Sequence, residues 1–565
     1  MNSKQLKKYG GILASIILCI FSLQQKVVAQ ADFRNDNYIL TENYWKEASS
    51  NERILKTPKI ANTSNATFKI KLLPYLTKMQ WVQDHPYNWN DGAMVPAKGL
   101  QQLTRIGFNA QWKFIELQIA PELVSAQNQQ FESFPLDAYE VIWRDYYRFY
   151  NFIELPEKMG EKGYSKFLLG QSFLKLHYKK WAIEYSSANE WWGPAQRNAL
   201  LLSTTGAGFM HISIKNQEPL NSTIGKFNFE LMTGKVINGG WEPPSTFITF
   251  RGNKLYVPKN EVWKTVNYIQ KNEFGEDQLV FENYRGIEDK QRIISGINMN
   301  FQPKWVPTLT VGFEQTYMQY QKDMIYWQDY IPLKNIITNI PNDRIEKPII
   351  QTAFYFNYEM PQAQTTFYGE VGWNLTNTSL RNWVLQPDKG YASTWGVKKI
   401  FPTAKKYYWE LLGELTQLQL LTRADQFSNG IPPSWYLGSN IRQGFTNDGQ
   451  LIGAGVGPGG SSQTMEFNWR KNKNRIGLTV ERREHNTDFN ELAFTNSRDF
   501  RRYYVDFATT LKIDWTYRKL TLGPRISYMQ TNNYEWNLHQ TVKDYFLPGQ
   551  DKQQFMGQLN IQYKL

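Results

Sequence analysis

The feature that most constrains the fold is an alternation of apolar and polar residues that continues to the last residue of the chain. In the segment 555–565, FMGQLNIQYKL, every odd-numbered position is apolar or glycine, and every even-numbered position except Met556 is polar. A period of two places successive side chains on opposite faces of a β-strand. Residues 511–528 repeat the pattern, with Trp515 on the apolar face and Lys512 and Asp514 on the other. Such strands separate an apolar environment from a polar one.

The composition indicates which environments these are. The chain has 20 Trp, 33 Tyr and 33 Phe, yet its mean hydropathy is −0.55. No apolar run beyond residue 29 reaches the ~20 residues of a membrane-spanning helix, whereas a strand crosses a bilayer with ~9–11 residues. Polar average hydropathy with abundant aromatic residues is typical of an outer-membrane barrel, in which aromatic side chains form two interfacial girdles. A secreted all-β enzyme or adhesin is the alternative, and the strand at the very C-terminus disfavours it, because a barrel closes its first strand against its last.

The N-terminus predicts export. Lys4, Lys7 and Lys8 precede the apolar stretch 10–23, and Ala29 follows at a suitable cleavage site, so residues 1–29 are predicted to be a signal peptide. Cys19 is the only cysteine, which leaves the mature chain without disulfides or cysteine chemistry. Residues 30–565 are predicted to form an all-β membrane protein, a large antiparallel outer-membrane barrel of about 18 strands.

One segment departs from the strand pattern. In the stretch LDAYEVIWRDYYRFY, aromatic residues recur at helical spacing, and Asp137 and Glu140 fit an N-terminal capping box. We predict a small helical insert near 135–165, as a periplasmic element or a plug.

Several ordered blocks resemble the capsule-assembly Wzi family of Gram-negative outer-membrane proteins. The most recognisable is 186–214, SSANEWWGPAQRNALLLSTTGAGFMHISI, although a further glycine is expected near Ala195. The others are YNWNDGAMVPAKG at 87–99, ELPEK at 154–158, LGQS at 169–172, IGKFNFELMTGKV at 224–236 and QGFTNDGQLIGAGVGPGGSSQ at 443–463. The resemblance implies a barrel of eighteen strands with a periplasmic helical bundle, and a role in retaining capsular or extracellular polysaccharide at the cell surface.

The central block allows two interpretations. Trp191 and Trp192 are expected at a membrane interface, with residues 200–202 opening a buried or lipid-facing strand after a turn at Gly193 and Pro194. The second interpretation is a glycan site, since carbohydrate sites pair aromatic faces with polar groups. The predicted glycan-binding residues are Asn90, Asp91, Glu190, Trp191, Trp192, Arg197 and Asn198.

Catalytic and cofactor motifs are weak. The glycine-rich stretch 453–460 lacks the Lys-Ser/Thr of a phosphate loop and is expected to be a flexible loop. Glu410 and Glu414 lie on one strand face roughly 13–14 Å apart, which is too far for a glycosidase pair, so they are predicted to be lumen charges. The five histidines are scattered. We predict no cofactor, no metal site and no enzymatic activity.

Charge points to acidic partners. Removal of the four signal-peptide lysines lowers the net charge from +13 to +9. Arginines cluster near the C-terminal strands, and such a field attracts acidic polysaccharide or lipid phosphate. The expected partners are capsular or extracellular polysaccharide, outer-membrane lipid and lipopolysaccharide, and polysaccharide export machinery, but not nucleic acid. A solute channel and a glycan- or lipid-acting hydrolase remain alternative functions. The clustered arginines are Arg475, Arg483, Arg502, Arg518 and Arg525.

Overall fold

A computed structural model describes residues 68–565 apart from several gaps, and the predicted signal peptide lies outside the described residues. No helix in the described part of the chain is long and apolar enough to cross a membrane. The gaps are 88, 136–141, 143–144, 147–148, 150–151, 241–245, 251–252, 258–264, 272–276, 284–290, 325–329, 331–347, 377–379, 386, 404–406, 421–433, 439–440, 495–501 and 538–549.

Antiparallel strands make up most of the described chain. The first half contains β1 (Lys69–Leu72), β2 (Tyr75–Val82), β3 (Gly99–Arg105), β4 (Phe108–Trp112), β5 (Ile115–Ile119), β6 (Glu122–Ala126), β7 (Tyr164–Leu168), β8 (Phe173–Tyr178), β9 (Trp181–Ser186), β10 (Met210–Asn216), β11 (Leu220–Asn221), β12 (Gly225–Ile237), β13 (Thr246–Phe250), β14 (Asn253–Val257), β15 (Thr265–Lys271) and β16 (Asp277–Asn283). The second half contains β17 (Gln291–Pro303), β18 (Leu309–Tyr320), β19 (Ile349–Met360), β20 (Thr365–Asn374), β21 (Tyr391–Pro402), β22 (Tyr407–Gln417), β23 (Thr446–Asn447), β24 (Gln450–Leu451), β25 (Ser461–Lys471), β26 (Asn474–Glu484), β27 (Val505–Tyr517), β28 (Leu520–Asn532) and β29 (Lys552–Tyr563).

Within the described residues, eighteen wall strands close into a barrel, as predicted. The first four are interrupted, so each consists of two segments: β1 with β2, β3 with β4, β5 with β6, and β7 with β8. Each later wall strand pairs antiparallel with the next, from β8 and β9 round to β28 and β29. The last strand, β29, then pairs with β2 from Tyr75↔Tyr563 to Val82↔Met556. This pairing closes the wall into a cylinder.

The wall presents apolar residues outward and polar residues to the lumen. In β27, Trp515 is 48% exposed, whereas Lys512 and Asp514, which point the other way, are 3% and 1% exposed. The inward charges are neutralised in pairs, such as Arg475 with Asp514 at 2.6 Å and Arg470 with Glu410 at 3.0 Å. An apolar exterior around a polar interior is the pattern of a transmembrane barrel, and the architecture is that of an outer-membrane protein.

The connections alternate strictly between short turns and long loops. Two-residue turns such as 113–114 and 518–519 lie at one end of the barrel, together with the start of β1 and the end of β29. Connections such as 187–209 and 418–460 lie at the other end. Because outer-membrane barrels have short periplasmic turns and longer extracellular loops, the long-loop end faces outward from the cell.

Three of the long loops fold into the lumen and form a plug, which we define as residues 89–97, 187–209, 434–438 and 441–460. Trp192, Leu200 and Trp435 are buried in its hydrophobic core. The loops also bond to one another: the backbone N–H of Gly92 donates to Thr204, and that of Ser203 donates to Ile452. The plug fills the outer half of the lumen.

The plug corrects three of the sequence expectations. Trp191 and Trp192 are 4% and 1% exposed and lie inside the barrel, not at a membrane interface. Residues 200–202 are buried but belong to no strand. The stretch 453–460 is mostly buried and packed, with Gly453 against the ring of Tyr436, and is not an exposed flexible loop. In all three cases a polar lumen, and not the lipid, supplies the enclosing surface.

Helical structure is minor in the described residues. The helices are α1 (Leu380–Leu385) and α2 (Thr487–Phe494), with short 3-10 turns at Gln321–Asp323 and Tyr534–Trp536. In the predicted insert near 135–165, Ile142, Asp145, Tyr146 and Phe149 are helical, while Asp137 and Glu140 lie outside the described residues.

Candidate functional site

Two wall carboxylates hold the central block of the plug. Glu414 of β22 accepts backbone N–H bonds from Gln196 at 2.7 Å, Arg197 at 3.0 Å and Asn198 at 2.8 Å. It also accepts the hydroxyl of Tyr368 at 2.8 Å. Successive backbone N–H groups that converge on one anion form a nest, here with the anion supplied by the barrel wall. Glu414, which was predicted to be a lumen charge, therefore anchors the plug.

Glu370 of β20 provides the second anchor. Its carboxylate accepts the backbone N–H of Ala195 at 2.9 Å and that of Leu200 at 2.8 Å. Gly193 approaches the same carboxylate closely, with φ +82°, and a Cβ at this position would lie 2.2 Å from Oε1 of Glu370. Only glycine accommodates both the backbone angle and the contact. The Gly-Pro of the central block thus turns the chain against the wall.

Glu190 occupies a cluster of charges at the start of this loop. Its carboxylate lies 3.3 Å from Nε2 of His211 and 3.6 Å from the ammonium of Lys215. Burial alone would raise the pKa of Glu190, but Lys215 and His211 lower it overall. Glu190 is therefore an ionised, paired group on the lumen side of β10.

Three of the predicted glycan residues meet around Trp89. Asn90 donates from its amide to the carbonyl of Arg197 at 2.6 Å, and Asp91 forms an ion pair with Lys78. The guanidinium of Arg197 pairs with Glu481 of β26 and lies 4.9 Å from the centre of the Trp89 ring. Asp91 and Arg197 line a polar cavity of about 70 Å³ beside Trp89.

The other three predicted residues are structural parts of the plug. Trp191 donates from its indole to the carbonyl of Ala195 at 3.2 Å, and Trp192 donates to Glu230 of β12 at 3.2 Å. Asn198 donates to Ser462 at 3.1 Å. Because these side chains are buried and hydrogen-bonded, they support the surrounding loops and present no free face to a ligand.

A larger cavity of about 310 Å³ opens between the long loops. Several aromatic side chains line its wall, and the ring centres of Phe489 of α2 and Trp536 lie 4.8 Å apart. This volume is at the lower end of the ~300–1,000 Å³ of small-molecule sites. We call it the aromatic cavity. Its principal lining residues are Tyr146, Arg483, His485, Phe489, Tyr504 and Trp536.

Among the described residues, two buried hydrogen-bond donors of the cavity lining have no protein acceptor. Trp536 is 7% exposed, and among the described residues no acceptor lies within hydrogen-bonding distance of its indole N–H. The Nε of Arg483 is likewise buried without an acceptor, while one terminal nitrogen donates to the carbonyls of Gly455 at 3.1 Å and Val456 at 3.3 Å. Buried donors without acceptors are rare in proteins, and both of these belong to residues that line the aromatic cavity.

The electrostatics of the aromatic cavity are dominated by Arg483. Burial raises the pKa of Glu157, and it raises that of Glu535 well above its usual range, with the neighbouring Glu157 acting in the same direction. Burial also lowers the pKa of His485, against the opposing effect of Asp506 at 2.6 Å. These shifts favour the neutral forms of Glu157, Glu535 and His485, whereas Arg483 contributes a guanidinium to the lining. In the described ranges, no group of three or more His, Cys, Asp or Glu side chains has the arrangement of a metal site.

Comparison with known proteins gives one family-model match, which covers part of the chain. Residues 97–253 match the family model of the capsule assembly protein Wzi. This match confirms the resemblance drawn from the ordered blocks, and it includes the central block and β12. No curated protein matches the chain.

Among solved structures, the Wzi outer-membrane protein of Escherichia coli matches with a TM-score of 0.53 and 11% sequence identity. The match covers 96% of this chain and 100% of the Wzi chain, which is described as a carbohydrate-binding β-barrel involved in group 1 capsule assembly. At this identity, the likeness establishes a shared fold. OprD of Pseudomonas aeruginosa matches with a TM-score of 0.38 and 10% identity, over 89% of this chain and 95% of its own. OccAB2 of Acinetobacter baumannii matches with a TM-score of 0.38 and 11% identity, over 88% of this chain and 97% of its own. Scores this low support no conclusion about the chain.

Sequence reasoning missed the aromatic cavity. Its residues come from six long loops and the end of β26, and none of them forms a motif on its own. The one signal in the sequence was the set of arginines near the C-terminal strands, which contained Arg483. The structure separates that set: Arg475 is ion-paired in the lumen, and Arg518 is exposed in a turn at the opposite end from Arg483.

Proposed function

We propose that the protein acts in the assembly of capsular or extracellular polysaccharide and holds the glycan at the cell surface without catalysis. The observation that carries this proposal is the aromatic cavity at the extracellular end, with its two unused donors. Aromatic faces combined with a few oriented polar groups suit a saccharide, because sugar rings have apolar faces and hydroxyl edges. The match of residues 97–253 to the Wzi family supports the same role.

The plug supports retention of a glycan over passage of solutes. Wall carboxylates and loop contacts hold the plug in the outer half of the lumen, so a glycan bound in the aromatic cavity would rest on a solid floor. Of the predicted glycan residues, Asp91 and Arg197 line the polar cavity beside Trp89 and are proposed to contact the glycan directly. The remaining five, Asn90, Glu190, Trp191, Trp192 and Asn198, are proposed to position the loops. A polysaccharide export apparatus and lipopolysaccharide are further proposed partners.

The test is polysaccharide retention in a deletion strain of the host bacterium complemented with variants. Trp536→Phe keeps the ring and removes the N–H, and Arg483→Gln removes the charge. We expect both to raise the fraction of polysaccharide released from cells while total production is unchanged. Binding of purified polysaccharide fragments to the folded full-length protein should weaken about 2- to 12-fold for Trp536→Phe, the value of one hydrogen bond.

Arg482→Gln is the matched control. Arg482 is the neighbour of Arg483 in sequence, but its guanidinium pairs with Glu484 at 3.1 Å and lies outside the cavity lining. Wild-type retention in both cavity variants would contradict the assignment of the aromatic cavity. Wild-type retention in the deletion strain itself would contradict the function, and conductance in planar bilayers would then test the channel alternative.

A further inference from the structure

The exposed charges of the barrel are distributed unevenly between its two ends. Among the described residues, the short-turn end exposes ten cations and two anions. The long-loop end exposes three cations and four anions. We call the ten cations of the short-turn end the basic rim: Lys69, Lys71, Lys113, Lys179, Lys180, Lys226, Lys304, Lys471, Arg518 and Lys519. The two anions at that end are Glu218 and Glu359. At the long-loop end the cations are Lys162, Lys235 and Lys322, and the anions are Glu132, Glu161, Glu491 and Asp551.

Three turns of the basic rim repeat one local geometry. In each, the last residue of a strand is an outward aromatic and the first residue of the turn is a cation in the left-handed region, with φ of 51° at Lys113, 54° at Lys179 and 52° at Arg518. The cation folds back over the preceding ring. The distances to the ring centres are 5.0 Å for Lys113 over Trp112, 5.4 Å for Lys179 over Tyr178 and 5.4 Å for Arg518 over Tyr517.

This geometry directs the charge outward, toward the membrane. Trp112, Tyr178 and Tyr517 are 45%, 70% and 55% exposed on the outer wall. Cations held against these rings lie on the outer perimeter of the barrel. At the same end of the lumen, by contrast, cations such as Lys175 and Arg475 are paired with carboxylates at 3.0 Å and 2.6 Å. At these three turns the positive charge therefore lies beside the surrounding lipid and not in the barrel mouth.

We propose that the basic rim binds anionic phospholipid headgroups in the periplasmic leaflet of the outer membrane. Aromatic rings at the outer wall suit the level of the headgroups, where Trp and Tyr are enriched in membrane proteins. Ammonium and guanidinium groups at that level attract anionic lipids, and the attraction acts within about a Debye length. The rim is at the opposite end from the aromatic cavity, so this binding is independent of the proposed function.

The experiment uses the folded full-length protein in vesicles of phosphatidylcholine and phosphatidylglycerol, with one lipid brominated in each series. Quenching of tryptophan fluorescence gives the relative association constant of the two lipids at the barrel surface. We expect a preference for phosphatidylglycerol at 50 mM salt, where the screening length is ~10–14 Å. This preference should decline by 500 mM salt, because the screening length is then shorter. The triple variant K113Q/K179Q/R518Q should reduce the preference about threefold or more.

A matched triple variant, K162Q/K235Q/K322Q, removes the same charge from the long-loop end and should retain the preference. The conservative variant K113R/K179R/R518K should also retain it, and heat-modifiable migration verifies folding in each case. Two results would overturn the proposal: no preference for phosphatidylglycerol in the wild-type protein, or an equal loss in the rim variant and in the long-loop control. The salt dependence of the wild-type protein tests the proposal even if the triple rim variant fails to fold.

Discussion

The anchoring of the plug by Glu414 leads to a quantitative prediction. Glu414→Gln retains the size of the side chain but replaces one carboxylate oxygen by an amide that donates. One oxygen of Glu414 accepts the backbone N–H of Asn198, and the other accepts that of Gln196 and the hydroxyl of Tyr368. Whichever oxygen is replaced, at least one buried backbone N–H then faces another donor.

Hydrogen bonds to a charged group contribute about 1.5–3 kcal/mol each, and a buried donor left without an acceptor costs about 1–3 kcal/mol. Loss of one such bond and weakening of its neighbours gives about 3 kcal/mol of lost docking energy for the segment 195–200. At 1.36 kcal/mol per tenfold change, the undocked population of the plug rises by roughly 100-fold. The barrel wall itself, held by its strand pairing, should remain folded.

The assay is conductance of the purified protein in planar bilayers, combined with limited proteolysis of the loop 187–209. We expect Glu414→Gln to show frequent openings and cleavage within this loop, while the wild-type protein stays mostly closed and resistant. Glu359→Gln, an exposed carboxylate on the short-turn side, is the control and should behave as wild type. Equal conductance and equal proteolysis in Glu414→Gln and wild type would refute the anchoring role.

Two further predictions concern the loops. Gly193→Ala places a Cβ 2.2 Å from Glu370 at φ +82° and should release the plug. Gly240→Ala, at φ +73° with open space around it, should cost only the ~1–2 kcal/mol of backbone strain. Hydrogen exchange of residues 187–209 distinguishes the two variants. Burial raises the pKa of Asp488 to about 6 from 3.8, so the folded loop binds a proton more tightly than the unfolded chain. The free energy that holds this loop folded should fall by about 3 kcal/mol as the pH rises from about 4 to above 6, and Asp488→Asn should abolish this pH dependence. Hydrogen exchange, corrected for the pH dependence of the intrinsic rates, measures it. A wild-type loop whose stability does not change with pH, or a variant that keeps the wild-type pH dependence, would count against the prediction.

The wall could be predicted from the sequence because each strand carries its own signal. The opposite exposure of Trp515 and Asp514 in β27 follows from a local period of two, and the pairing of the last strand with the first strand of the wall follows from the strand at the C-terminus. The prediction of about 18 strands also agrees with the eighteen wall strands of the described residues.

The plug could not be predicted in this way because its enclosing surface is distant in sequence. The segment 195–200 has no periodicity of its own, and its partners Glu370 and Glu414 lie 170 to 218 residues further along the chain. Burial in a polar lumen also reverses the usual reading of Trp191 and Trp192: in a barrel, adjacent tryptophans suggest the membrane interface, yet here indole N–H groups find acceptors inside. The aromatic cavity depends on the plug and is therefore one step further from the sequence.

The pairing of β29 with β2 also determines the order in which the protein can mature. The seam forms between residues 75–82 and 556–563, so the cylinder stays open until the final segment of the chain has been delivered to the assembly site. The plug depends on the same event, because the contacts of 187–209 reach Glu370, Glu414 and Glu481 on strands that are made much later. A copy truncated by its last fourteen residues would lack both the seam and a properly enclosed plug. A chain can therefore close into the barrel only after both strands of this seam have been made.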